Sequence, residues 1–326
     1  MHTKTRIGVV GAGAFGANHL RIINQSAQVA LAGIVDVDLR RAAELAAAYE
    51  CPIFGSLEEL AANAEAAVIA SPTVSHSQIG CRLMELGLDI LVEKPLALNP
   101  VEGWALVETA KKTGRMLHTG LLERFNPVVT ALSAAVTTPL FFEIQRLGKF
   151  KAKSLDIDVV LDLMIHDIDV VLSLVREVPG AIHAAGISVL TDKIDIANAR
   201  LEFPSGCVAN LTASRVHIER VRKLRVFQKE GYISLDYTRK EAIRCRVKSP
   251  VGLEYEQLHV SSAEPLRLEL EHFFESIILR TSPRVTPEQA LAALTVACDI
   301  RDTIARHARR IGSLLPPGGE FSTKPF

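Results

Sequence analysis

The stretch Ile7-Gly8-Val9-Val10-Gly11-Ala12-Gly13-Ala14-Phe15-Gly16 decides how this chain is read. A short apolar strand runs into a turn with glycine at its first, third and sixth positions, and a helix is expected over residues 18–25. Each glycine has its own task. Gly11 permits the tight turn, Gly13 lets the backbone approach a pyrophosphate, and Gly16 lets the helix pack close to the strand. The free N–H groups around Ala14, Phe15, Gly16 and Ala17 would face an anion at the helix start. The next strand, residues 29–35, ends in Asp36, where a carboxylate can hold the ribose hydroxyls of an adenosine. The context predicts a dinucleotide site.

Working outward, residues 5–120 alternate strands with helical segments, which predicts a parallel sheet covered on both faces. Asp36 should repel the 2′-phosphate of NADP, so NAD is the expected cofactor and NADP the lesser alternative; Arg40 and Arg41 are the opposing signal. A strand at 66–70 ends in Ser71-Pro72-Thr73 and a helix containing His76, at the carboxyl edge where open α/β sheets bind ligands. His76 is therefore read either as a cofactor contact or as a capping or exposed histidine. A further strand, 89–92, ends in Glu93-Lys94-Pro95. Ions at the rim of a buried sheet are costly without a partner or a task, and Pro95 restricts the conformation of Lys94. The bland reading pairs these charges with each other or with neighbours.

After residue 120 the alternation stops. A strand is expected at 141–147 and a lysine-bearing loop at 148–154, followed by a buried helix over 158–172. Asp158, Asp162 and His166 recur at helical spacing, with Asp169 three residues on, so they should share one face. Three readings compete for that stripe: a satisfied core network, a divalent metal site, or acid–base chemistry with Asp162 orienting the His166 imidazole. Spacing alone does not choose. Hairpins are expected around Pro204-Ser205-Gly206 and Glu230-Gly231, implying a largely antiparallel sheet that needs cover from helices or a second subunit. Arg215, Arg220, Arg222, Lys223 and Arg225 cluster between these strands, either to bind phosphates or as a solvated or interfacial charge run. Helices are expected at 265–279 and 287–309.

Composition sets the outer limits. Of 326 residues 48% are hydrophobic, enough for a large core and two domains. Thirty-seven basic residues balance thirty-seven acidic ones, giving no support for a nucleic-acid or membrane partner. Five scattered cysteines without metal-knuckle spacing suggest reduced thiols, and no signal peptide or membrane-length apolar run is visible. A soluble cytoplasmic protein is the expectation.

Taken together, Gly11/Gly13/Gly16, then Glu93-Lys94-Pro95, then Asp162-x-x-x-His166 resemble the Gfo/Idh/MocA family of NAD(P)-dependent sugar and polyol dehydrogenases. The stretches Glu123-Arg124-Phe125-Asn126-Pro127, 161–169 and 210–215 resemble a narrower group, the bacterial UDP-N-acetylglucosamine 3-dehydrogenases. The resemblance implies an α/β fold: an N-terminal Rossmann domain over 1–121 and a C-terminal α/β domain over 122–326, whose open sheet commonly joins subunits as a dimer or tetramer. It implies Lys94, His166 and Asp162 as catalytic residues, with no metal. Gly11, Gly13, Ala14, Phe15, Gly16, Asp36, Ser71, Pro72, His76, Glu93 and Lys94 are expected at the cofactor. Lys94, Arg124, Asn126, Asp162, His166 and Arg215 are expected at a nucleotide-sugar substrate, with Lys149, Lys151 and Lys153 as further cations. Alternatives are an inositol or free-sugar dehydrogenase and a catalytically silent NAD-sensing regulator; the presence of both Lys94 and His166 argues against the regulator.

Overall fold

The computed structural model describes residues 4–150, 156–248 and 252–314. The first sheet has five parallel strands: β1 (Thr5–Val10), β2 (Val29–Val35), β3 (Ala66–Ile69), β4 (Asp89–Glu93) and β5 (Leu117–Gly120), in the order β2-β1-β3-β4-β5. The strand order reverses beside β1, and at such a switch point an open α/β sheet offers a crevice. Helices α1 (Ala14–Asn24), α2 (Leu39–Tyr49), α3 (Leu57–Asn63), α4 (His76–Glu85) and α5 (Pro100–Thr113) connect these strands.

Side chains alternate between two cores, as a pleated sheet buried on both faces requires. Ile7, Val9, Val68 and Leu91 enter one core, while Val10, Ile69, Ile90 and Val92 enter the other. The first core is closed in part by Leu270, Phe273, Phe274 and Ile277 of α8 (Pro265–Leu279), a helix from the far end of the chain.

Between these elements lies a second sheet of eight strands. Helix α6 (Pro127–Ala135) leads into β6 (Phe141–Leu147), and α7 (Ile165–Val175) comes next. Then come β7 (Ala181–Ile187), β8 (Ile196–Glu202), β9 (Val208–Ser214), β10 (Val221–Gln228), β11 (Gly231–Asp236), β12 (Glu241–Val247) and β13 (Leu253–Gln257). The order is β13-β12-β11-β10-β6-β9-β8-β7; only β6 and β9 run parallel, and every other pair is antiparallel. Its inner face, with Phe142, Ile144, Leu211, Leu224 and Ile233, packs in one core with α6 and α7. Helix α9 (Pro287–Leu314) lies against α7 and β7. Outward-facing Gln145, Asn198, Arg200, Lys223 and Arg225 are exposed. No described helix is long and apolar enough to cross a membrane.

Two local differences from the sequence reading matter for the site. Helix α1 begins at Ala14, four residues earlier than the apolar periodicity indicates, because Gly13 can serve as its cap. The helix expected from residue 158 opens with a π-helical turn, Val160–Met164, before α7 proper. Such a turn inserts one residue into the i→i+4 ladder and rotates the residues beyond it, so the four-residue stripe does not remain a single face.

Candidate active site

The glycine turn is built as its sequence demands. Gly11 has φ +107°, and a Cβ there would lie 2.6 Å from the Ala70 carbonyl carbon. A Cβ on Gly16 would lie 1.8 Å from the Gly11 oxygen, so only glycine lets α1 pack against the turn. Gly13 differs: nothing of the protein lies within 4 Å of where its Cβ would be. No side chain caps α1, and Ala14 and Phe15 are exposed, so the first N–H groups of the helix are open to an anion. The carboxylate of Asp36 accepts from the Ala12 amide and, at 2.6 Å, from the Asp38 amide, which sets it beside the turn. Each oxygen keeps acceptor capacity for a ribose hydroxyl. An open backbone cradle, an uncapped helix start and an acid at the second strand end fit an adenine dinucleotide.

At the ends of β3 and β4 the chain ties its loops together. His76 is buried, with Nδ1 2.9 Å from the Pro95 carbonyl and Nε2 2.9 Å from the Ser71 carbonyl. Burial lowers its pKa although both carbonyls favour the proton. Both ring nitrogens are thus turned to the backbone, and His76 joins the Ser71-Pro72 loop to the Lys94-Pro95 loop, whose Lys94–Pro95 peptide is cis. The Ser71 hydroxyl pairs with that of Ser75 at 2.7 Å, and Pro72 is exposed. Glu93 turns inward, accepting from His19 Nε2 at 2.7 Å and from the Lys94 amide at 3.1 Å. Burial opposes the charge on Glu93, but His19 and Lys94 hold its pKa below the ordinary value.

Lys94 crosses from the first sheet to the π-helical turn. Its Nζ is 2.8 Å from Asp162 Oδ1 and 2.8 Å from the Asp162 carbonyl, with the lysine side chain 10% exposed. His166 comes one turn later. Its pKa is driven well below 6.5, first by burial and then by the charges of Lys94, Arg146 and Arg222. The imidazole is therefore neutral at physiological pH, as a proton acceptor must be. Its Nδ1 is buried and has no hydrogen-bond partner among the described residues. The sequence reading has Asp162 orienting this ring; among the described residues its carboxylate instead makes its hydrogen bond to Lys94.

The rest of the stripe disperses. Asp158 accepts from the Val160 and Leu161 amides and pairs with Arg301 at 2.6 Å. Asp169 pairs with Arg124 at 3.2 Å, and burial pushes its pKa up to about 6 against the pull of that arginine. Among the described residues no three His, Cys, Asp or Glu side chains converge as metal ligands.

Of the other expected substrate residues, Asn126 caps α6, its Oδ1 accepting from the Val128 amide while its Nδ2 donates to Glu123 at 2.7 Å. Arg215 is buried and donates to the Ile157 carbonyl at 2.8 Å. Lys149 is exposed, while Lys151 and Lys153 lie outside the described residues.

Two residues beneath the site belong to none of the sequence motifs. One is His19, a polar residue on the otherwise apolar inner stripe of α1. The other is Arg146, which shares the inward register of Phe142 and Ile144 on β6. Arg146 donates to both oxygens of Asp167, at 2.8 and 2.7 Å, and to Glu123 at 2.8 Å. A charge at an inward-facing strand position is the signal that marks it.

Two family models match this architecture. The oxidoreductase family with an NAD-binding Rossmann fold matches residues 5–121, and the GFO/IDH/MocA C-terminal domain matches residues 129–234. The chain belongs to the Gfo/Idh/MocA family. It is an oxidoreductase with an NAD(P)-binding Rossmann fold. Among curated proteins it is 36% identical over 278 residues to a UDP-N-acetylglucosamine 3-dehydrogenase of Acidithiobacillus ferrooxidans, covering 83% of this chain and 88% of that one. A solved structure of that enzyme superposes with a TM-score of 0.88 at 33% identity, covering 94% of this chain and 99% of the other. An inositol 2-dehydrogenase of Corynebacterium glutamicum is 32% identical over 187 residues, about half of each chain (52% and 54%).

Proposed function

We propose that this protein is an NAD-dependent dehydrogenase that oxidises the C3 hydroxyl of UDP-N-acetylglucosamine to a ketone, in a route to 3-amino sugars of lipid A or other surface glycans. The observation that carries the chemistry is the Lys94–Asp162 contact, which brings an ammonium from the cofactor-side loop to within one helical turn of a neutral, buried His166. In this reading His166 takes the hydroxyl proton. Lys94 positions the hydroxyl and stabilises the alkoxide as it develops, and Asp162 holds Lys94 in place. The nicotinamide supplies the hydride acceptor. The glycine turn, the first amides of α1 and Asp36 hold the rest of the dinucleotide.

NAD is favoured over NADP because Asp36 stands at the ribose position. Arg40 and Arg41, the residues that could welcome a 2′-phosphate, are paired with Glu44 and Asp38. The substrate assignment draws on the similarity to the Acidithiobacillus enzyme, which extends through nearly all of that protein. Residues 1–121 hold the cofactor in this reading and 122–326 the substrate and subunit contacts. A row of side chains on the outer face of the second sheet, Phe141, Phe227, Tyr232 and Tyr255, supports pairing of subunits through that sheet.

A panel of UDP-N-acetylglucosamine, free N-acetylglucosamine and inositols, monitored by NADH absorbance, tests the proposal. Turnover restricted to inositol would reject the substrate, and equal efficiency on the two N-acetylglucosamine forms would mean that the nucleotide is not recognised.

A further inference from the structure

Arg146, Arg222 and Tyr237 form one row across the inner face of the second sheet. Arg146 is paired with Arg222 between β6 and β10, and the Tyr237 amide donates to the Arg222 carbonyl at 3.0 Å. The two arginines have different fates. Arg146 is saturated by Asp167 and Glu123. The guanidinium of Arg222, partly buried, makes no hydrogen bond and no ion pair among the described residues. A partly buried guanidinium whose donors face solvent, with no protein acceptor among the described residues, is available to an anionic ligand.

Arg222 borders a cavity of about 210 Å³, lined also by Arg220, Lys240, Tyr237, Asn126 and Glu123. The hydroxyl of Tyr237 is buried without a hydrogen-bond partner among the described residues. Burial, with Glu123 and Asp167 nearby, raises its pKa well above the usual value, so it adds no negative charge to this wall. Glu123 is the acid of the cavity, and its carboxylate is already bonded to Arg146 and Asn126. The starts of α6, at Pro127 and Val128, and of α8, at Pro265, complete the wall, the Val128 amide being already capped by Asn126. Burial lowers the Arg222 pKa to about 10, with Arg146 and Arg220 acting in the same direction. It remains a cation at neutral pH, beside two others that repel it.

We propose that this cavity is a phosphate subsite that takes the diphosphate of the nucleotide-sugar substrate through Arg222, Arg220 and Lys240. The inference rests on the nucleotide-sugar function proposed for this protein. The other candidate cations are engaged elsewhere, Arg124 with Asp169 and Arg215 with the Ile157 carbonyl. Arg222 is also near enough to His166 for its charge to depress the imidazole pKa. In the proposed complex the sugar extends from that diphosphate toward the same histidine. Binding energy gathered at the phosphates then serves the ground state and the transition state alike, so its loss is read in KM.

The test is calorimetric titration of the NAD-loaded full-length protein with UDP and, separately, with inorganic pyrophosphate. Wild type is compared with Arg222→Gln and Lys240→Gln, and steady-state kinetics on UDP-N-acetylglucosamine run in parallel. Arg222→Gln should weaken UDP and raise KM by roughly 10- to 100-fold, the worth of one charge-assisted hydrogen bond. It should leave kcat within about threefold, as the loss of uniform binding does, and should not alter NAD affinity. Lys240 lies on an exposed turn, so Lys240→Gln provides the same readout, with a smaller shift, if the first variant folds poorly. Unchanged UDP affinity and KM in both variants would overturn the subsite. If wild type ignores UDP and UDP-N-acetylglucosamine, the nucleotide-sugar reading itself fails. Pyrophosphate binding that disappears in Arg222→Gln would then assign the cavity to free phosphate, against the source named here. No pyrophosphate binding would reject the anion site altogether.

Discussion

Lys94 Nζ donates to Asp162 twice, to the carboxylate Oδ1 and to the main-chain carbonyl, each at 2.8 Å. One residue of the π-helical turn therefore fixes the ammonium by both its side chain and its backbone. The geometry divides the labour between neighbours on the chain, with Asp162 positioning the lysine and His166 left free of it. Replacing Asp162 by asparagine keeps the carbonyl contact, so that variant should be much less damaged than one lacking the lysine.

Lys94→Met should lower kcat by roughly 100-fold or more, the range for a lost acid–base or charge-stabilising group, while NAD affinity changes little. The same variant carries a pH signature. The charge on Lys94 helps to hold the His166 pKa down, so its removal should move the acid limb of the kcat profile upward, toward 6.5. An acid limb that stays in place would show that the lysine does not act on this imidazole.

The two helix-start glycines should separate by assay. A Cβ on Gly16 would collide with the Gly11 carbonyl, so Gly16→Ala should destabilise the cofactor-free protein by about 1–3 kcal/mol, as overpacking does. Gly13→Ala meets open space, and its φ of −71° suits any residue. That variant should melt close to wild type yet bind NAD more weakly. Fluorescence titration and thermal melts read the two effects independently.

Cofactor preference should depend on Asp36. Wild type should bind NAD more tightly than NADP, and Asp36→Ala should narrow the gap, because the carboxylate beside the ribose is removed. Dissociation constants for both cofactors decide the matter. Equal affinities in the unmodified protein would refute the assignment.

The buried group of Arg146, Asp167 and Glu123 should be sensitive to partial removal. Arg146→Met leaves two buried carboxylates facing each other and should cost about 3–5 kcal/mol in urea unfolding. Adding Asp167→Leu and Glu123→Leu to that variant should recover much of the loss, because the unpaired charges leave with the arginine. No recovery would mean that the three residues contribute through packing instead.

Acid stability should report His118. Burial, with His272 close by, lowers its pKa to about 3 in the folded protein. The unfolded chain, with its ordinary value of 6.5, therefore takes the proton first. Stability from this residue is whole above pH 6.5 and is lost progressively as pH falls toward 3. His118→Leu should consequently lose less melting temperature than wild type between pH 7 and pH 4.5. Parallel curves for the two proteins would remove His118 from the account.

Much of the first sheet could be read from the sequence because its signals are local. Val29–Val35 and the helix from Pro265 to Leu279 begin and end where their apolar runs and prolines indicate. Lys94 and His166 were legible as rare polar residues in apolar settings. What escaped was pairing, which depends on three-dimensional neighbours. Arg124 and Arg215, expected at a substrate, are held by Asp169 and the Ile157 carbonyl, whereas Arg222, one of five in a charge cluster, borders a cavity. The π-helical turn was also invisible, since an inserted residue leaves the 158–172 pattern apolar throughout while rotating its polar members apart.

The helix that returns from the far end of the chain also constrains how the protein is made. Synthesis delivers Ile7, Val9, Val68 and Leu91 early, but Leu270, Phe273, Phe274 and Ile277, which seal that side of the sheet, begin to leave the ribosome only 179 residues after Leu91. For most of translation the nascent nucleotide-binding half carries an open oily flank. A truncated transcript ending before residue 265 would encode an aggregation-prone fragment rather than an autonomous module, and any attempt to graft this half onto another protein must bring the distant helix with it.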